Sequence, residues 1–266
     1  MIIKATSDEL IQVEEYINND PVSTVYIGAD IQMYGFNRDF LEVWLQLNHD
    51  RNIGAIIMRY HNGMQFYSKT LEFDVEEITG LIDKISPQVI GGQFNSVNKL
   101  FDALDSKYKL EMGTLAVYDK QTKYKNSEYI IERATLDDVD EISQLICSDM
   151  KMSEIYSQNE IAQQIKERMI HGFGRNYVVR VDGNIVAHAA TYAETSYSAV
   201  IGGVITKENF RRKGYSTAVV GKLCNDLIVE GRTPCLFYYD DIAGKVYHKL
   251  GFSDYTKWGK LIKIKG

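Results

Sequence analysis

A short basic turn in the second half of the chain carries the residues most suited to chemistry. In VITKENFRRKGYSTAVVGKL, residues 204–223, an apolar strand-like run ends, two arginines and a lysine follow, and Gly214 precedes a long apolar helix. The first N–H groups of a helix have no partner inside the helix, and its dipole places roughly half a positive charge there. Such a turn can hold a pyrophosphate, with charge-assisted bonds from the basic side chains. The residues that would bind it are Arg211, Arg212, Lys213, Gly214, Tyr215, Ser216 and Thr217.

The pattern within this turn is Arg211-x-x-Gly214-x-Ser216. Glycine lets the backbone approach an anion closely, and a small serine leaves the same space open. The segment is neither a P-loop, G-x-x-x-x-G-K-[ST], nor the G-x-G-x-x-G of dinucleotide-binding proteins. Taken alone it is also compatible with a solvated basic loop, so a second signal is needed.

The second signal is DDIAGKVYHKLGF, residues 240–252. Together the two segments resemble the GNAT superfamily of acyl-CoA-dependent N-acyltransferases, which carries R/Q-x-x-G-x-G/A after its fourth strand. The family also tends to carry N-x-x-A-x-x-x-Y-x-x-x-G-F from its fifth strand into the next helix. Ser216 departs from the first pattern and Asp240 from the second. The matching residues are Arg211, Gly214, Ala243, Tyr247, Gly251 and Phe252.

The resemblance covers about residues 128–266 and implies a binding mode for coenzyme A. The pantetheine arm would lie between splayed fourth and fifth strands and pair with the main chain of Val204, Ile205 and Thr206, with the pyrophosphate at residues 212–217. Tyr247 would be the general acid that protonates the departing thiolate, since a phenol can donate a hydrogen bond where charge develops. Asp240 also belongs to the implied cofactor site, but a carboxylate cannot donate as an asparagine amide does.

The reaction needs a neutral acceptor amine, whose ordinary pKa lies near 10, so a base or a dry pocket must help. Some family members place a glutamate early in the fourth strand. Glu194 is the nearest carboxylate here and is the candidate base, although Tyr197 occupies the position that fits better. The alternative is that Glu194 is a solvated hairpin residue. His188, in the run AHAATYA, is a second candidate base or a hydrogen-bonded core histidine.

The bulk composition sets limits on the class of protein. The 266 residues are 45% apolar and 25% charged, as in globular proteins, and no apolar run approaches the roughly 18 residues of a membrane span. We therefore expect a cytoplasmic protein without a membrane partner. The three cysteines are spaced unlike metal ligands, so we expect buried free thiols and no metal site.

Charge is unevenly distributed along the chain. Residues 1–120 carry 10 Lys and Arg against 18 Asp and Glu, a net charge of −8, and the total of −6 leaves +2 for the remainder. An acidic protein is unsuited to nucleic acid as its main partner. The second half is the better host for an anion.

The elements that must position these residues follow from periodicity. In the second half, Thr135 is a predicted N-cap, and a helix is predicted over residues 157–171 with Gly172 as its stop. Two strands follow around an Asp182-Gly183 turn, then a third strand over 197–206, a helix over 215–230, a buried strand, a short helix and closing strands.

The first half shows the same order of elements, with helices near residues 7–19 and 22–33 and a hairpin turn predicted at Asn62-Gly63. We predict a mixed α/β (α+β) fold with two GNAT-like domains, 1–122 and 128–266. Each would have a central, mostly antiparallel, twisted sheet flanked by helices, and the linker would lie near 119–127. At the turn that corresponds to the basic one, the first half reads SKTLEFDVEEITG. Its carboxylates would repel a phosphate, so no second coenzyme A site is expected.

The sequence therefore predicts a domain that transfers an acetyl group from acetyl-CoA to a primary amine, by direct attack and on a small molecule. The alternatives are a coenzyme A-binding sensor without transfer activity, and an interaction module whose acidic first half binds a basic partner. A homodimer is compatible with either. The identity of the acceptor does not follow from the residues.

Overall fold

The computed structural model describes residues 1–118, 128–149 and 157–264. By compactness the chain forms two units. The first unit contains Met1–Ala116, Phe237–Val246 and Ser253–Gly266, and the second contains Val117–Leu236 and Tyr247–Phe252. The predicted domains, 1–122 and 128–266, remain a prediction, and the predicted linker near 119–127 lies outside the described residues.

Helices occupy the positions that the sequence pattern favours. The helix predicted over 22–33 forms at Val25–Tyr34. Gly172 and Gly231 end their helices with positive φ angles of 74° and 82°. Asp74 caps the third helix by accepting a hydrogen bond from the Glu77 N–H over 3.1 Å. The described α-helices are α1 Leu10–Ile17, α2 Val25–Tyr34, α3 Val75–Ile85, α4 Phe94–Phe101, α5 Val139–Cys147, α6 Gln158–His171, α7 Tyr215–Val229 and α8 Asp241–Lys249.

The sheet of the first unit is mostly antiparallel, as predicted. Its strands are β1 Ile2–Lys4, β2 Asn37–Arg38, β3 Leu41–Leu47, β4 Ile53–Tyr60, β5 Gly63–Tyr67, β6 Val89–Gln93, β7 Tyr108–Tyr118 and β13 Phe252–Lys263. The order is β1-β3-β4-β5-β6-β13-β7, and β2 pairs with β3. Instead of several closing strands, the C-terminal segment forms the single strand β13, which pairs antiparallel with β6.

The β5 and β6 strands of the first unit run parallel and stay paired almost to their ends, from Gly63 opposite Val89 to Phe66 opposite Gly92. The hairpin before β5 turns one residue earlier than predicted. Gly63 pairs with Tyr60, and His61 takes the positive φ of 50°.

The sheet of the second unit has the order β12-β11-β10-β9-β8. Asp182 and Gly183 form the predicted two-residue turn with φ angles of 50° and 79°. All described pairs are antiparallel except β11 with β12. The strands are β8 Ile131–Arg133, β9 Asn176–Val181, β10 Asn184–Glu194, β11 Ser198–Thr206 and β12 Thr233–Tyr238.

Helices cover both faces of the first unit's sheet because neighbouring residues of β4 point to opposite sides. Ile56 belongs to the cluster that contains Ile27 of α2, and Ile57 to the cluster that contains Ile82 of α3. In the second unit α5 and α6 pack on β9 and β10, and α7 contacts β10 and β11. Cys224 and Cys235 are buried free thiols, as predicted, whereas Cys147 is partly exposed.

The close pairing of β5 with β6 gives a test of stability. A Cβ atom at Gly92 would lie 2.4 Å from the carbonyl oxygen of Phe66, so we expect Gly92→Ala to lower the free energy of unfolding by about 1–3 kcal/mol. Gly80 is the matched control, because it lies inside α3 and no heavy atom of the described chain comes within 4 Å of its Cβ position. Gly80→Ala should raise the free energy of unfolding by about 0.5–1 kcal/mol. Urea unfolding measures both, and equal effects would contradict this account of the strand pair.

Candidate functional site

The strands β11 and β12 separate within the second unit. Their parallel pairing runs from Ser198 opposite Thr233 to Val200 opposite Cys235, whereas β11 continues to Thr206. Among the described residues, the edge of β11 beyond Val200 thus has no partner on the β12 side. An unpaired strand edge can bind an extended chain through main-chain hydrogen bonds. Val204, Ile205 and Thr206, the residues predicted to pair with pantetheine, all lie in this part.

The basic turn follows directly. Arg212 and Gly214 have positive φ angles of 62° and 87°, and the first described helical bond of α7 runs from the Ala218 N–H to the Gly214 carbonyl over 3.0 Å. The N–H groups of residues 215–217 therefore have no acceptor within the helix. Gly214 is the N-cap residue and has no side chain that could accept from these N–H groups. An anion is a suitable partner for these amides.

Two side-chain contacts fix the turn to the end of β11. The Thr206 and Ser216 hydroxyls are hydrogen-bonded to each other. The Arg211 Nε donates to the Thr206 carbonyl over 3.2 Å. Ser216, which departs from the family pattern, thus joins the end of β11 to the start of α7. Arg211 makes a second link between the turn and the end of β11. Arg212 and Lys213 are exposed.

Sequence reasoning missed Tyr129, which supports the turn from a distant part of the chain. Its hydroxyl donates to the Lys213 carbonyl over 2.5 Å, and its ring lies 4.4 Å from that of Tyr215, measured between centroids. The ring is also 3.8 Å from where a Cβ of Gly214 would stand. No local pattern links positions 84 residues apart, so only the fold shows this contact.

Tyr247 lies on α8 and is half-buried, with its ring edge-to-face against Phe252 at 5.9 Å. Asp240 caps the start of the same helix, because its carboxylate accepts from the Ala243 N–H over 2.8 Å and its carbonyl from the Gly244 N–H over 3.1 Å. Aspartate and asparagine are both good N-caps. The departure from the family pattern therefore preserves this local role, while the predicted contact of Asp240 with pantetheine remains a prediction.

Glu194 is held in a network of ion pairs. Its side chain is 9% exposed and contacts Arg175 at 2.7 Å, Arg232, and the Thr191 hydroxyl at 2.5 Å. Arg175 also binds Glu230 at 2.6 Å, and these hydrogen bonds raise the pKa of Arg175 and lower that of Glu230. The network joins the ends of β9, β10 and α7. Its geometry favours a structural role for Glu194, whose role as base remains a prediction.

His188 is completely buried, and both ring nitrogens have partners. Nδ1 lies 2.7 Å from the Gly203 carbonyl oxygen, and Nε2 lies 2.9 Å from the Asn176 carboxamide. Burial lowers the pKa of His188 to about 4, so the ring is neutral at pH 7. The Gly203 carbonyl only accepts, so the single proton of the neutral ring is on Nδ1. The atom 2.9 Å from Nε2 is the Asn176 Oδ1, so the Asn176 carboxamide must be flipped for its NH₂ group to donate to Nε2. Of the two roles considered for His188, a catalytic base and a hydrogen-bonded core histidine, the geometry favours the core histidine.

The His188 contact lies at a β-bulge in β11. His188 pairs with Ile205 and Ala190 with Gly202, so Gly203 and Val204 together stand opposite Ala189. Gly203 has a φ of 60°, and a Cβ there would lie 2.9 Å from the Tyr192 hydroxyl and 3.0 Å from His188 Cε1. The Gly-Gly pair inside a strand was an available sequence signal for such a bulge. It lies just beyond the last pair of β11 with β12.

We expect His188 to remain neutral on its Nδ1–H tautomer between pH 7 and pH 5. Its folded pKa of about 4 is below the ordinary 6.5, so the unfolded chain binds more protons in this window. The histidine's contribution to the free energy of unfolding, at most about 3 kcal/mol, is complete above pH 6.5 and is lost as the pH falls towards 4. ¹H–¹⁵N spectra of the imidazole groups report tautomer and protonation, and His188→Gln assigns the signal. A doubly protonated ring at pH 5 would contradict the buried geometry.

Comparisons with known proteins agree with this geometry. Residues 181–259 match the family model of FR47-like protein, and no curated protein sequence matches the chain. A GNAT-family acetyltransferase from Colwellia psychrerythraea is 14% identical with a TM-score of 0.62, over 100% of both chains. A tandem GNAT protein from the clavulanic acid biosynthesis pathway, solved without acetyl-CoA, is 11% identical with a TM-score of 0.62. That match covers 100% of this chain and 99% of the other.

A third structure, a GCN5-related N-acetyltransferase-like protein from Streptococcus suis, is 11% identical with a TM-score of 0.61, over 98% of this chain and 100% of the other. The chain thus has the α/β fold of acetyltransferases. An FR47-like region at 181–259 contains both segments that carry the sequence motifs, and the fold is the one these GNAT structures have. Within the described ranges, no helix has the length and apolarity to cross a membrane.

Proposed function

We propose that the second unit is an acyl-CoA-dependent N-acyltransferase that moves an acetyl group from acetyl-CoA to a primary amine of a small molecule. The observation that carries this proposal is the open edge of β11 beyond Val200, continuous with the amide turn at Gly214. One extended ligand with an anionic end fits both features. Coenzyme A, a pantetheine amide chain joined to a pyrophosphate, has this chemistry.

In this proposal Val204, Ile205 and Thr206 bind the pantetheine amides through their main chain, as a neighbouring strand would. The amides of residues 214–217 bind the pyrophosphate at the positive end of α7. Arg212 and Lys213 add exposed positive charge, while Arg211 also holds the Thr206 carbonyl. The cosubstrate supplies an activated acyl group, and the protein supplies position and charge.

Tyr247 is the proposed general acid. Its hydroxyl donates a proton to the thiolate that leaves when the amine attacks the acyl carbon directly and the C–S bond breaks. The proton that the amine loses passes to water, and water reprotonates the phenolate. The ring is held against Phe252, whose other neighbour is Tyr118 at 5.2 Å, so this aromatic group limits the motion of the phenol. Glu194 is the candidate for the base from the sequence. The proposal does not depend on it, because its carboxylate is already ion-paired with two arginines.

The first unit is not proposed to bind coenzyme A. Its β5 and β6 strands remain paired through Phe66 and Gly92, which leaves no opening of the kind found between β11 and β12. Beside α3, an open cleft of about 800 Å³ includes Glu72, Asp74 and Glu77 in its wall. Carboxylates at this position repel phosphate.

The pyrophosphate site is tested by charge reversal. We expect Arg212→Glu to weaken coenzyme A binding by about tenfold or more, because it replaces an attractive charge by a repulsive one in an exposed turn. Arg133→Glu makes the same charge change elsewhere in the second unit and should bind as wild type does. Isothermal titration calorimetry with coenzyme A measures both, and wild-type affinity in Arg212→Glu would remove the pyrophosphate from this turn.

The general acid is tested by removing one hydroxyl. Tyr247→Phe keeps the ring against Phe252, so we expect coenzyme A affinity to be unchanged and turnover to fall by roughly ten- to a hundredfold. Tyr60→Phe, also half-buried, should leave turnover as in wild type. Thiol release from acetyl-CoA with a panel of primary amines is the assay. Equal turnover in the two variants would exclude Tyr247 as the acid.

A coenzyme A-binding sensor without transfer activity is the second candidate. The observation in its favour is that both candidate bases are engaged elsewhere. Glu194 is ion-paired, and His188 is hydrogen-bonded in the core. Coenzyme A binding without thiol release across all amine classes would support this function over the transferase. For either function we propose a cytoplasmic protein without a nucleic-acid partner.

A further inference from the structure

The guanidinium group of Arg168, near the end of α6 in the second unit, has no ion pair and no hydrogen bond among the described residues, although the side chain is partly buried. A partly buried charge without a partner is costly, and arginines at such positions ordinarily bind carboxylates. Every other partly buried arginine described in this unit does so, namely Arg175 with Glu194 at 2.7 Å, Arg180 with Glu132 at 3.0 Å, and Arg232 with Glu194. Arg168 alone among them keeps its charge available for an acidic ligand.

Two contacts hold the Arg168 side chain in place. Its Cζ atom lies 4.8 Å from the centroid of the Tyr192 ring, which is a cation–aromatic contact. At Gly174 a Cβ atom would lie 3.0 Å from the Cβ and 3.3 Å from the Cδ of Arg168, so the glycine makes room for the aliphatic part of the arginine. A side chain that is already ordered loses less conformational entropy when it binds a ligand.

Tyr192 connects the arginine to the β-bulge in β11. A Cβ atom at Gly202 would lie 2.4 Å from the Tyr192 Cε2, and one at Gly203 would lie 2.9 Å from the Tyr192 hydroxyl, so these two glycines accommodate the ring. The charge of Arg168 acts at the same place, because it adds to the effect of burial in lowering the pKa of His188, which contacts Gly203. Arg168 is thus one aromatic ring away from the point where β11 and β12 separate.

In the proposed binding mode, the acyl end of coenzyme A lies towards these glycines. The pyrophosphate is at the start of α7, where Ser216 is hydrogen-bonded to Thr206, the last residue of β11. A pantetheine chain paired with residues 204–206 leads from this turn back along β11, so its thioester is at the end nearer the bulge. The acceptor amine must meet the thioester there, on the strand that Tyr192 and Arg168 flank.

We propose that Arg168, held in position by Tyr192, binds a carboxylate group of the acceptor. Resting on the proposed transferase function, this defines the substrate class as amines that also carry a carboxylate, that is, amino acids. A guanidinium binds a carboxylate through two parallel hydrogen bonds. It also repels an ammonium group, which disfavours acceptors that carry positive charge only. The carboxylate of the acceptor supplies the partner that Arg168 lacks in the free chain.

The binding test uses N-acetyl amino acids, which carry the carboxylate and have no free amine to be acylated. N-acetylalanine, N-acetylleucine and N-acetylphenylalanine are titrated by calorimetry into the full-length chain, with and without coenzyme A, each beside the N-acetyl amine that lacks only the carboxylate. We expect the wild type to bind the acid of at least one pair about tenfold or more tightly than its neutral partner.

Three variants assign this difference to the arginine. Arg168→Gln should abolish it, and Arg168→Lys, which keeps the charge without the planar fork, should reduce it. Lys166→Gln removes an exposed positive charge from the same helix and should bind as wild type does. Circular dichroism checks that each variant is folded.

Thiol release from acetyl-CoA, measured with free alanine, leucine and phenylalanine and with their decarboxylated amines, tests the same site in turnover. We expect Arg168→Gln to raise the KM of the preferred amino acid by about tenfold or more. The kcat and the affinity for coenzyme A should stay near wild type, because the arginine contacts the acceptor away from the reacting atoms.

The outcomes separate the two proposals. Carboxylate-dependent binding that is lost in Arg168→Gln, without thiol release from any acceptor, would support the site and refute the transferase. Thiol release with equal kcat/KM within every pair, or with a preference for the acid that persists in Arg168→Gln, would refute the site and keep the transferase. Equal affinities within every pair in the wild type, or no binding of any acid, overturn the site whatever the thiol-release assay shows.

Discussion

The end of pairing between β11 and β12 after Val200 and Cys235 is the constraint on which the proposed chemistry depends. A parallel pair that continued to Thr206 would close the strand edge, as β5 and β6 close theirs. The bulge at Gly203 lies where the opening begins, and the neutral His188 donates a hydrogen bond to the Gly203 carbonyl. Thr206 then joins the end of the strand to Ser216, so the edge and the amide turn form one continuous surface.

Local signals predicted most of the elements, because caps and hairpin turns depend on residues close in sequence. Gly172 and the Asp182-Gly183 turn lie where the pattern put them. The pairing of β13 with β6 could not be predicted in this way, since its register is set by contacts across more than 150 positions of the chain. The hydrogen bond from Tyr129 to the turn before Gly214 could not be predicted for the same reason.

The candidate site was predictable where chemistry follows from backbone geometry, and less so where it depends on side-chain partners. Amides at a helix start bind anions whatever surrounds them, so the turn at Gly214 could be recognised from its sequence. Whether a carboxylate is available depends on its neighbours. Glu194 resembled a base by position, yet two arginines that directly precede β9 and β12 form ion pairs with it.

The two halves of the chain carry opposite net charges, and the proposed cofactor site lies in the positive half. A pyrophosphate requires amides and basic side chains, and the second half, at +2, has Arg212 and Lys213 exposed at its turn. The first half, at −8, has carboxylates at the corresponding turn, and its β5 and β6 strands stay paired. Carboxylates within a few ångströms of a pyrophosphate would weaken its binding by Coulomb repulsion. An open strand edge and basic charge occur together in the second unit, and the proposed coenzyme A site requires both.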